Sequence, residues 1–177
     1  MTEHVVAFGE LLLRLTAPGN RLLRQVDSLD VVVGGAEANV AAALASLGND
    51  VRFAGLVSDN ALGDRCIAAL GAAGVGTGFV ARAAGRVGLY FLEAGAGLRP
   101  SAITYDRAGS AFAEVAPDAI DFAGALKGAR LLHTGGITPA LGPKGVALAK
   151  AAQVAADRKS TRLNSSHRNT SRMPSSA

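Results

Sequence analysis

Short apolar runs alternate with longer segments of helical apolar spacing through most of the chain. Apolar, β-branched runs predict buried strands at residues 5–8, 31–33 and 51–57. Ala- and Leu-rich segments predict helices from about residue 36 to 48 and from 61 to 73. The order strand, helix, strand, helix at this spacing is typical of parallel βαβ units. The pattern therefore predicts an α/β fold.

Further elements are predicted in the second half of the chain. The apolar spacing after Pro117 predicts an amphipathic helix over 117–129, and another helix begins at Pro143 and runs to about residue 156. Ser58 or Asp59 can cap the second helix of the chain, because each offers a side-chain acceptor to free N–H groups. The strands predicted in this part are residues 76–81, 86–93, 101–105 and 131–134.

A diglycine joins the strand at 31–33 to the first long helix. Gly34 and Gly35 remove two Cβ atoms where the chain reverses, so that the backbone can approach a ligand closely. The helix begins near Ala36, its free N–H groups and positive dipole end point toward the turn, and the amide of Asn39 can reach the same space. These features fit a small polar-ligand site. A tight strand-to-helix turn without a ligand explains them equally well.

The charge of the chain is divided unevenly. The net charge is +4, but residues 158–177 hold five basic residues and no acid, which leaves 13 basic and 14 acidic residues in 1–157. The basic character therefore belongs to the tail and does not indicate nucleic-acid binding by the domain. No apolar run is long enough to span a bilayer and no secretory signal precedes the first strand. Neither nucleic acid nor a membrane is expected as a partner, and the cytoplasm is the expected location.

The cysteine and histidine residues predict no metal site. Cys66 is the one cysteine, which excludes an internal disulfide, and its apolar neighbours favour a buried thiol. His4, His133 and His167 are scattered along the chain. His133 lies in an apolar strand, where we expect a core histidine whose hydrogen bonds are satisfied.

The last segment differs in composition from the rest. Residues 158–177 have no hydrophobic period and are rich in Ser, Asn, Thr and Arg, which predicts disorder. The segment also resembles translated sequencing-adapter read-through, although a basic disordered binding tail would have the same composition. We therefore divide the chain into a domain at 1–157 and a disordered, non-native tail at 158–177.

The pattern G-G-x-x-x-N followed by an Ala-rich helix resembles the N-terminal signature of the ribokinase-like (PfkB) carbohydrate kinases. The sequence GGAEANVAAALASLG is most similar to that of the 2-keto-3-deoxygluconate kinase branch, and the similarity runs from about residue 5 to 156. The resemblance implies a central, mainly parallel sheet with a small β lid, whose strands would include 13–17 and 29–33. It also implies substrate contacts from Gly34, Gly35, Glu37 and Asn39.

Two tyrosines and an arginine extend the resemblance. The 2-keto-3-deoxygluconate kinases carry a tyrosine in one strand of a two-strand insertion and a Tyr-x-Arg triplet at the end of the other, which match Tyr90, Tyr105 and Arg107. An arginine can hold the carboxylate of an acid sugar with two parallel hydrogen bonds, and tyrosine hydroxyls can orient its hydroxyl groups. Strand packing for the tyrosines and an ion pair of Arg107 with Asp106 are the local alternatives.

Glu10 follows the first strand, where ligands gather in open α/β sheets. A polar contact to a ligand and a pair with the nearby Arg14 are both consistent with its position.

The resemblance implies transfer of the ATP γ-phosphate to the 6-hydroxyl of 2-keto-3-deoxygluconate. In its C-terminal half, this family carries a Gly-Ala-Gly-Asp motif, which supplies the anion hole and the aspartate base, and an acidic motif that assists Mg²⁺ binding. Neither motif occurs in this sequence, and it contains no G-x-x-x-x-G-K-[ST] phosphate loop. We therefore expect a truncated chain that lacks the sites for ATP and Mg²⁺ and is inactive alone. The alternatives are a fructokinase- or ribokinase-type kinase of a neutral sugar and a non-catalytic fragment that binds sugar or forms a homodimer through the lid.

Overall fold

A five-stranded parallel sheet forms the centre of the molecule. The computed structural model describes residues 3–159 and 161–165. The strand order in the sheet is β5-β4-β1-β8-β9, and every neighbouring pair is parallel. This order confirms the predicted α/β class with parallel βαβ units. The strands are β1 (His4–Phe8), β4 (Val51–Ser58), β5 (Gly76–Ala83), β8 (Ala129–Thr134) and β9 (Arg162–Ser165).

Helices cover both faces of this sheet. Successive residues of β1 point to opposite faces, so that Val5 and Ala7 belong to one apolar cluster and Val6 and Phe8 to another. The first cluster includes residues of α1 and α2, and the second includes residues of α3 and α5. The helices are α1 (Ala36–Ser46), α2 (Ala61–Ala72), α3 (Phe122–Ala125), α4 (Ile137–Ala140) and α5 (Pro143–Arg158).

A second, four-stranded sheet stands beside the carboxyl ends of the central strands. Its order is β3-β2-β6-β7, with β2 antiparallel to β3 and parallel to β6, and β6 antiparallel to β7. It contains the two strands expected from the lid of the family, each shifted by one residue, and the two-strand insertion. The strands are β2 (Leu12–Thr16), β3 (Asp30–Gly34), β6 (Gly88–Glu93) and β7 (Ala102–Asp106).

The prediction of an amphipathic helix over 117–129 is wrong. A 3-10 turn at Pro117–Ala119 and the short helix α3 replace it. The carboxylate of Asp121 accepts a hydrogen bond from the N–H of Gly124 at 2.8 Å, which starts a new helix in the middle of the segment. Ile120 and Leu126 are nevertheless buried. The prediction of an apolar, buried face is therefore correct for these positions, whereas the prediction of one continuous helix is not.

The cap of α2 is Asn60 rather than Ser58 or Asp59. The side-chain oxygen of Asn60 accepts hydrogen bonds from the N–H groups of Leu62 and Gly63 at 3.0 and 3.2 Å. Ser58 donates its hydroxyl to the same oxygen at 2.8 Å and so supports the cap indirectly. An asparagine one residue closer to the helix outcompetes both candidates because its amide oxygen reaches two N–H groups.

The segment after α5 is not disordered throughout. Helix α5 extends to Arg158, and residues 162–165 pair with β8 as the parallel edge strand β9. The prediction of disorder for 158–177 is therefore wrong for this strand, since backbone pairing does not require a hydrophobic period. Residues 160 and 166–177 of the predicted tail lie outside the described residues.

Candidate active site

A cavity of about 180 Å³ lies between the carboxyl end of the central sheet and one face of the second sheet. The loop after β1, the first turn of α1, strands β6 and β7, the residue after β7 and α4 each contribute to its wall. Polar groups from both sheets meet here, as expected at the carboxyl ends of parallel strands. The lining residues are Glu10, Leu12, Gly35, Ala36, Glu37, Asn39, Tyr90, Ile103, Tyr105, Arg107 and Ile137.

The predicted glycine turn forms one wall of the cavity. Gly35 precedes α1 with φ at 153°, and a Cβ at this position would lie 2.6 Å from the carbonyl oxygen of Glu10. Both the backbone conformation and the close approach therefore require glycine. The helix begins at Ala36 as predicted, and the exposed Asn39 borders the cavity. The first N–H groups of an α-helix have no partner within the helix, so this helix start is a candidate contact for a ligand.

Two tyrosines stand opposite each other on the second sheet. Tyr90 of β6 and Tyr105 of β7 are register partners, and their ring centroids are 5.9 Å apart. Ile103 lies two residues before Tyr105 and therefore on the same face of β7. Tyr105 is 62% exposed, so that its ring is not held by core packing. The sheet presents a mixed aromatic and aliphatic surface with two hydroxyl groups to the cavity.

Arg107 completes this wall. Its guanidinium lies 5.8 Å from the ring centroid of Tyr105, a distance that allows a cation–π contact. It makes no ion pair with Asp106, because Asp106 accepts a hydrogen bond from Arg86 at 2.7 Å. The local alternative for Arg107 is therefore wrong, and its ion-pair partner lies elsewhere.

That partner is Glu10, which is 97 residues away in sequence. The Nε–H of Arg107 donates to Oε2 of Glu10 at 2.8 Å, and Nη2 donates to the same oxygen. The hydroxyl of Ser110 donates to Oε1 of Glu10 at 3.0 Å. The side chain of Glu10 is 1% exposed and that of Arg107 is 13% exposed, so that the arginine is the member that faces the cavity. Of the two alternatives for Glu10, the pair with Arg14 does not form.

Glu37, in the first turn of α1, is a buried lining residue of the cavity. It is 2% exposed, and a Cβ at Gly9 would collide with its carboxylate. Burial raises the pKa of Glu37, although nearby backbone N–H groups and the side chains of His133 and Arg107 act in the opposite direction. Oε1 of Glu37 has no hydrogen-bond partner among the described residues. Oε1 of Glu37 is therefore a candidate polar contact for a ligand in the cavity.

His133 differs from the satisfied core histidine that its apolar strand predicts. It is 9% exposed, but its Nδ1 has no partner in the part of the chain that the structure describes. The expectation of burial is correct and that of satisfied hydrogen bonding is wrong. The strand pattern alone predicts which face of the sheet a side chain occupies, but not whether a hydrogen-bond partner lies on that face.

The structure gathers six of the seven predicted site residues around one cavity; the exception, Gly34, lies next to Tyr90. The sequence reasoning did not identify four lining residues, which are Leu12, Ala36, Ile103 and Ile137. The position of Ile103 could be predicted from the sequence, since alternation along a strand puts it on the same face as Tyr105. Ile137 follows Gly135 and Gly136 in the segment after β8, and only the sheet order brings it to this cavity.

Residues 3–159 and 161–165 contain no group of three or more His, Cys, Asp or Glu side chains that could hold a metal ion. None of these described residues is assigned to Mg²⁺. No described helix is both long and apolar enough to cross a membrane.

A central parallel sheet with a polar cavity at its carboxyl ends, beside a small second sheet, defines an α/β protein whose candidate site has the size and polarity for a small polar molecule. Residues 2–173 match the description "pfkB family carbohydrate kinase". The chain belongs to this family of carbohydrate kinases, and the match includes part of the segment 158–177.

Relatives of known name share this fold. A 2-dehydro-3-deoxygalactonokinase of Haloferax volcanii is 36% identical over 143 residues, which are 80% of this chain and 44% of that protein. The crystal structure of a 2-dehydro-3-deoxygluconokinase from Thermotoga maritima has a TM-score of 0.90 and 42% identity, over 95% of this chain and 52% of that one. A PfkB family carbohydrate kinase from Listeria grayi has a TM-score of 0.88 and 36% identity, over 94% and 52%. The chain thus spans about half the length of these relatives.

Proposed function

We propose that the whole protein is an ATP-dependent kinase that phosphorylates the 6-hydroxyl group of 2-keto-3-deoxygluconate, and that this chain provides its acceptor-sugar site. The observation that carries this proposal is the position of Arg107 beside Tyr90 and Tyr105 in one cavity. A guanidinium can bind a carboxylate through two parallel hydrogen bonds. Two relatives named as kinases of 2-dehydro-3-deoxy acid sugars support the choice of substrate class.

Each wall of the cavity has a role in this proposal. Arg107 binds the carboxylate, and the two tyrosine hydroxyls orient the keto and hydroxyl groups of the sugar. The first-turn N–H groups of α1 and the amide of Asn39 contact further hydroxyls. Gly35 allows close approach of the backbone to the sugar, and Gly34 makes space for the Tyr90 ring. The carboxyl group of Glu37, whose Oε1 has no partner among the described residues, makes a further polar contact to the sugar.

The chain alone is not expected to transfer phosphate. Our proposal assigns ATP, Mg²⁺ and the base that accepts the hydroxyl proton to residues that this chain does not contain. We also propose a cytoplasmic location and, from the family resemblance, a homodimer through the second sheet. The origin of segment 158–177 as sequencing read-through remains a prediction of the same kind.

A specific observation favours a second candidate, a fructokinase- or ribokinase-type kinase of a neutral sugar. The carboxylate of Glu10 already balances the charge of Arg107. A cavity in which the one arginine is neutralised does not require an anionic ligand. The two candidates therefore differ in whether Arg107 still recognises a carboxylate while it is paired with Glu10.

A chimaera tests the proposal. Residues 1–157 are joined to the C-terminal half of the Thermotoga maritima relative, and ADP release is measured with 2-keto-3-deoxygluconate, 2-keto-3-deoxygalactonate, fructose and ribose. We expect turnover with the keto acids, a fall of about ten- to hundredfold in kcat/KM for them in R107A, and no turnover by the 177-residue chain. A preference for fructose or ribose would establish the second candidate instead.

A further inference from the structure

Glu10 occupies one side of the Arg107 guanidinium and leaves another side free. The Nε–H and one Nη2–H of Arg107 both point to Oε2 of Glu10. A guanidinium has a second donor pair, formed by Nη1 and the other Nη2–H, at its end. Within the described part of the chain, no protein acceptor is bonded to this end. Arg107 lines the cavity and Glu10 takes its Nε side, which leaves the Nη1–Nη2 end as the one that a ligand in the cavity can reach.

The carboxylate of Glu10 is itself held on several sides. Ser110 donates its hydroxyl to Oε1 and accepts a hydrogen bond from the N–H of Ala113 at 3.2 Å, which orients the hydroxyl. A Cβ at Gly88 would lie 2.5 Å from Oε1 of Glu10, so that only glycine leaves room for the carboxylate there. The Glu10 side chain is therefore confined by its neighbours.

We propose that Glu10 is a positioning residue that makes the site selective for a carboxylate, by holding Arg107 with its end-on donor pair toward the sugar. This inference rests on the proposed function and extends it to a residue that acts through Arg107. A fixed planar pair of donors matches the two oxygens of a carboxylate, whereas an alcohol can accept only one of the two hydrogen bonds. Selectivity then comes from orientation, although the net charge of the pair is zero.

The Glu10–Arg107 pair also connects the two sheets. Glu10 follows β1 of the central sheet, and Arg107 follows β7 of the second sheet. A guanidinium anchored in this way cannot turn toward solvent when the site is empty, so that little rotamer entropy is lost when a ligand binds.

The test is calorimetric titration of the 177-residue chain with 2-keto-3-deoxygluconate and with fructose. We expect E10A to raise the Kd of the acid sugar about ten- to hundredfold and to leave that of fructose within about threefold. E10Q keeps an acceptor for Arg107 and an amide N–H₂ toward Ser110, and it should restore most of the preference for the acid. A purely structural role would weaken binding of both sugars together.

A second pair of variants covers the case in which E10A does not fold. G88A displaces the Glu10 carboxylate without changing any charge, and it should lower the ratio of fructose Kd to acid-sugar Kd. G78A is the matched control, because an added Cβ at Gly78 meets no atom within 4 Å.

The outcomes separate the two proposals. Wild-type chain that does not prefer the acid sugar contradicts the proposed function, and the inference falls with it. The inference alone is overturned if the wild-type chain prefers the acid sugar and E10A or G88A keeps that preference. It is also overturned if either variant binds the acid sugar more tightly than the wild-type chain does.

Discussion

The hydroxyl oxygen of Tyr90 lies directly against Gly34, at a distance of 3.3 Å from where a Cβ of residue 34 would stand. Such a contact is tighter than ordinary van der Waals packing, so that the Tyr90 ring would have to move. The diglycine therefore has two separate functions in the structure. Gly35 allows the chain to turn into α1, and Gly34 makes space for an aromatic side chain from another sheet.

Substitution G34A should displace Tyr90 and weaken sugar binding. Overpacking of this kind costs about 1–3 kcal/mol, and we expect the lower end because the neighbour is the tip of a side chain. The Kd for 2-keto-3-deoxygluconate should therefore rise about five- to tenfold in calorimetry. G78A, whose Cβ would stand in open space, should not change it. Equal affinities in both variants would show that Tyr90 does not contact the sugar.

Two glycines of α2 should respond to alanine in opposite ways. At Gly71 an added Cβ meets nothing within 4 Å, and alanine should raise the free energy of unfolding by about 0.5–1 kcal/mol because it is the better helix former. At Gly63 the Cβ would collide with the carbonyl oxygen of Ser58, so that alanine should destabilise the chain by about 2 kcal/mol or more. Urea unfolding followed by far-UV circular dichroism measures both. Destabilisation of similar size in the two variants would contradict the described packing of α2 on β4.

The stability of the chain should depend on pH through Glu37. Burial raises the pKa of its carboxyl above 4.5, the value for an exposed group, so that the folded chain holds this proton more tightly than the unfolded chain. The contribution is fully present below about pH 4.5 and is lost as the pH rises through the folded-state pKa. The free energy of unfolding should therefore fall over this range.

The neutral, isosteric variant E37Q isolates this effect. The difference in unfolding free energy between E37Q and the unsubstituted chain should grow with pH above 4.5 and then level off. A difference that is constant with pH would mean that Glu37 titrates as an exposed carboxylate, contrary to its burial.

Cys66 reports on the folding of the chain. The thiol is fully buried in α2, and burial raises its pKa to about 11 from an ordinary value of 9.0. The thiolate is the reactive form, so that alkylation at pH 8 should be at least about 100-fold slower in the folded chain than in urea. Because this is the one cysteine, mass spectrometry of iodoacetamide-treated chain gives the rate directly. Equal rates in buffer and urea would show that α2 is not packed.

The sequence contained much of the local structure but little of the long-range pairing. Apolar runs located β1, β4 and α1, and the GGAEAN pattern located the turn before α1. These features depend on neighbouring residues. The helix predicted at 117–129 failed because Asp121 caps a new helix within it, a contact that competes with continuous helical spacing.

The partner of Arg107 illustrates the limit for the site. Local reasoning offered Asp106 as its partner, and Arg14 as the partner of Glu10, because both are close in sequence. The observed pair joins residues 97 positions apart. It depends on the second sheet folding back over the carboxyl end of β1, which no local pattern specifies. The contact of Ser110 with Glu10 and the position of Ile137 at the cavity also depend on segments that are distant in sequence.

The central claim is that this chain recognises the carboxylate of a sugar acid through Arg107. The most direct measurement is the ratio of the Kd values for fructose and 2-keto-3-deoxygluconate, determined by calorimetry on the 177-residue chain and on R107A, with circular dichroism to establish that both are folded. We predict a ratio of about ten or more that falls to near one in R107A. A folded chain with a ratio near one, or an unchanged ratio in R107A, would contradict the account.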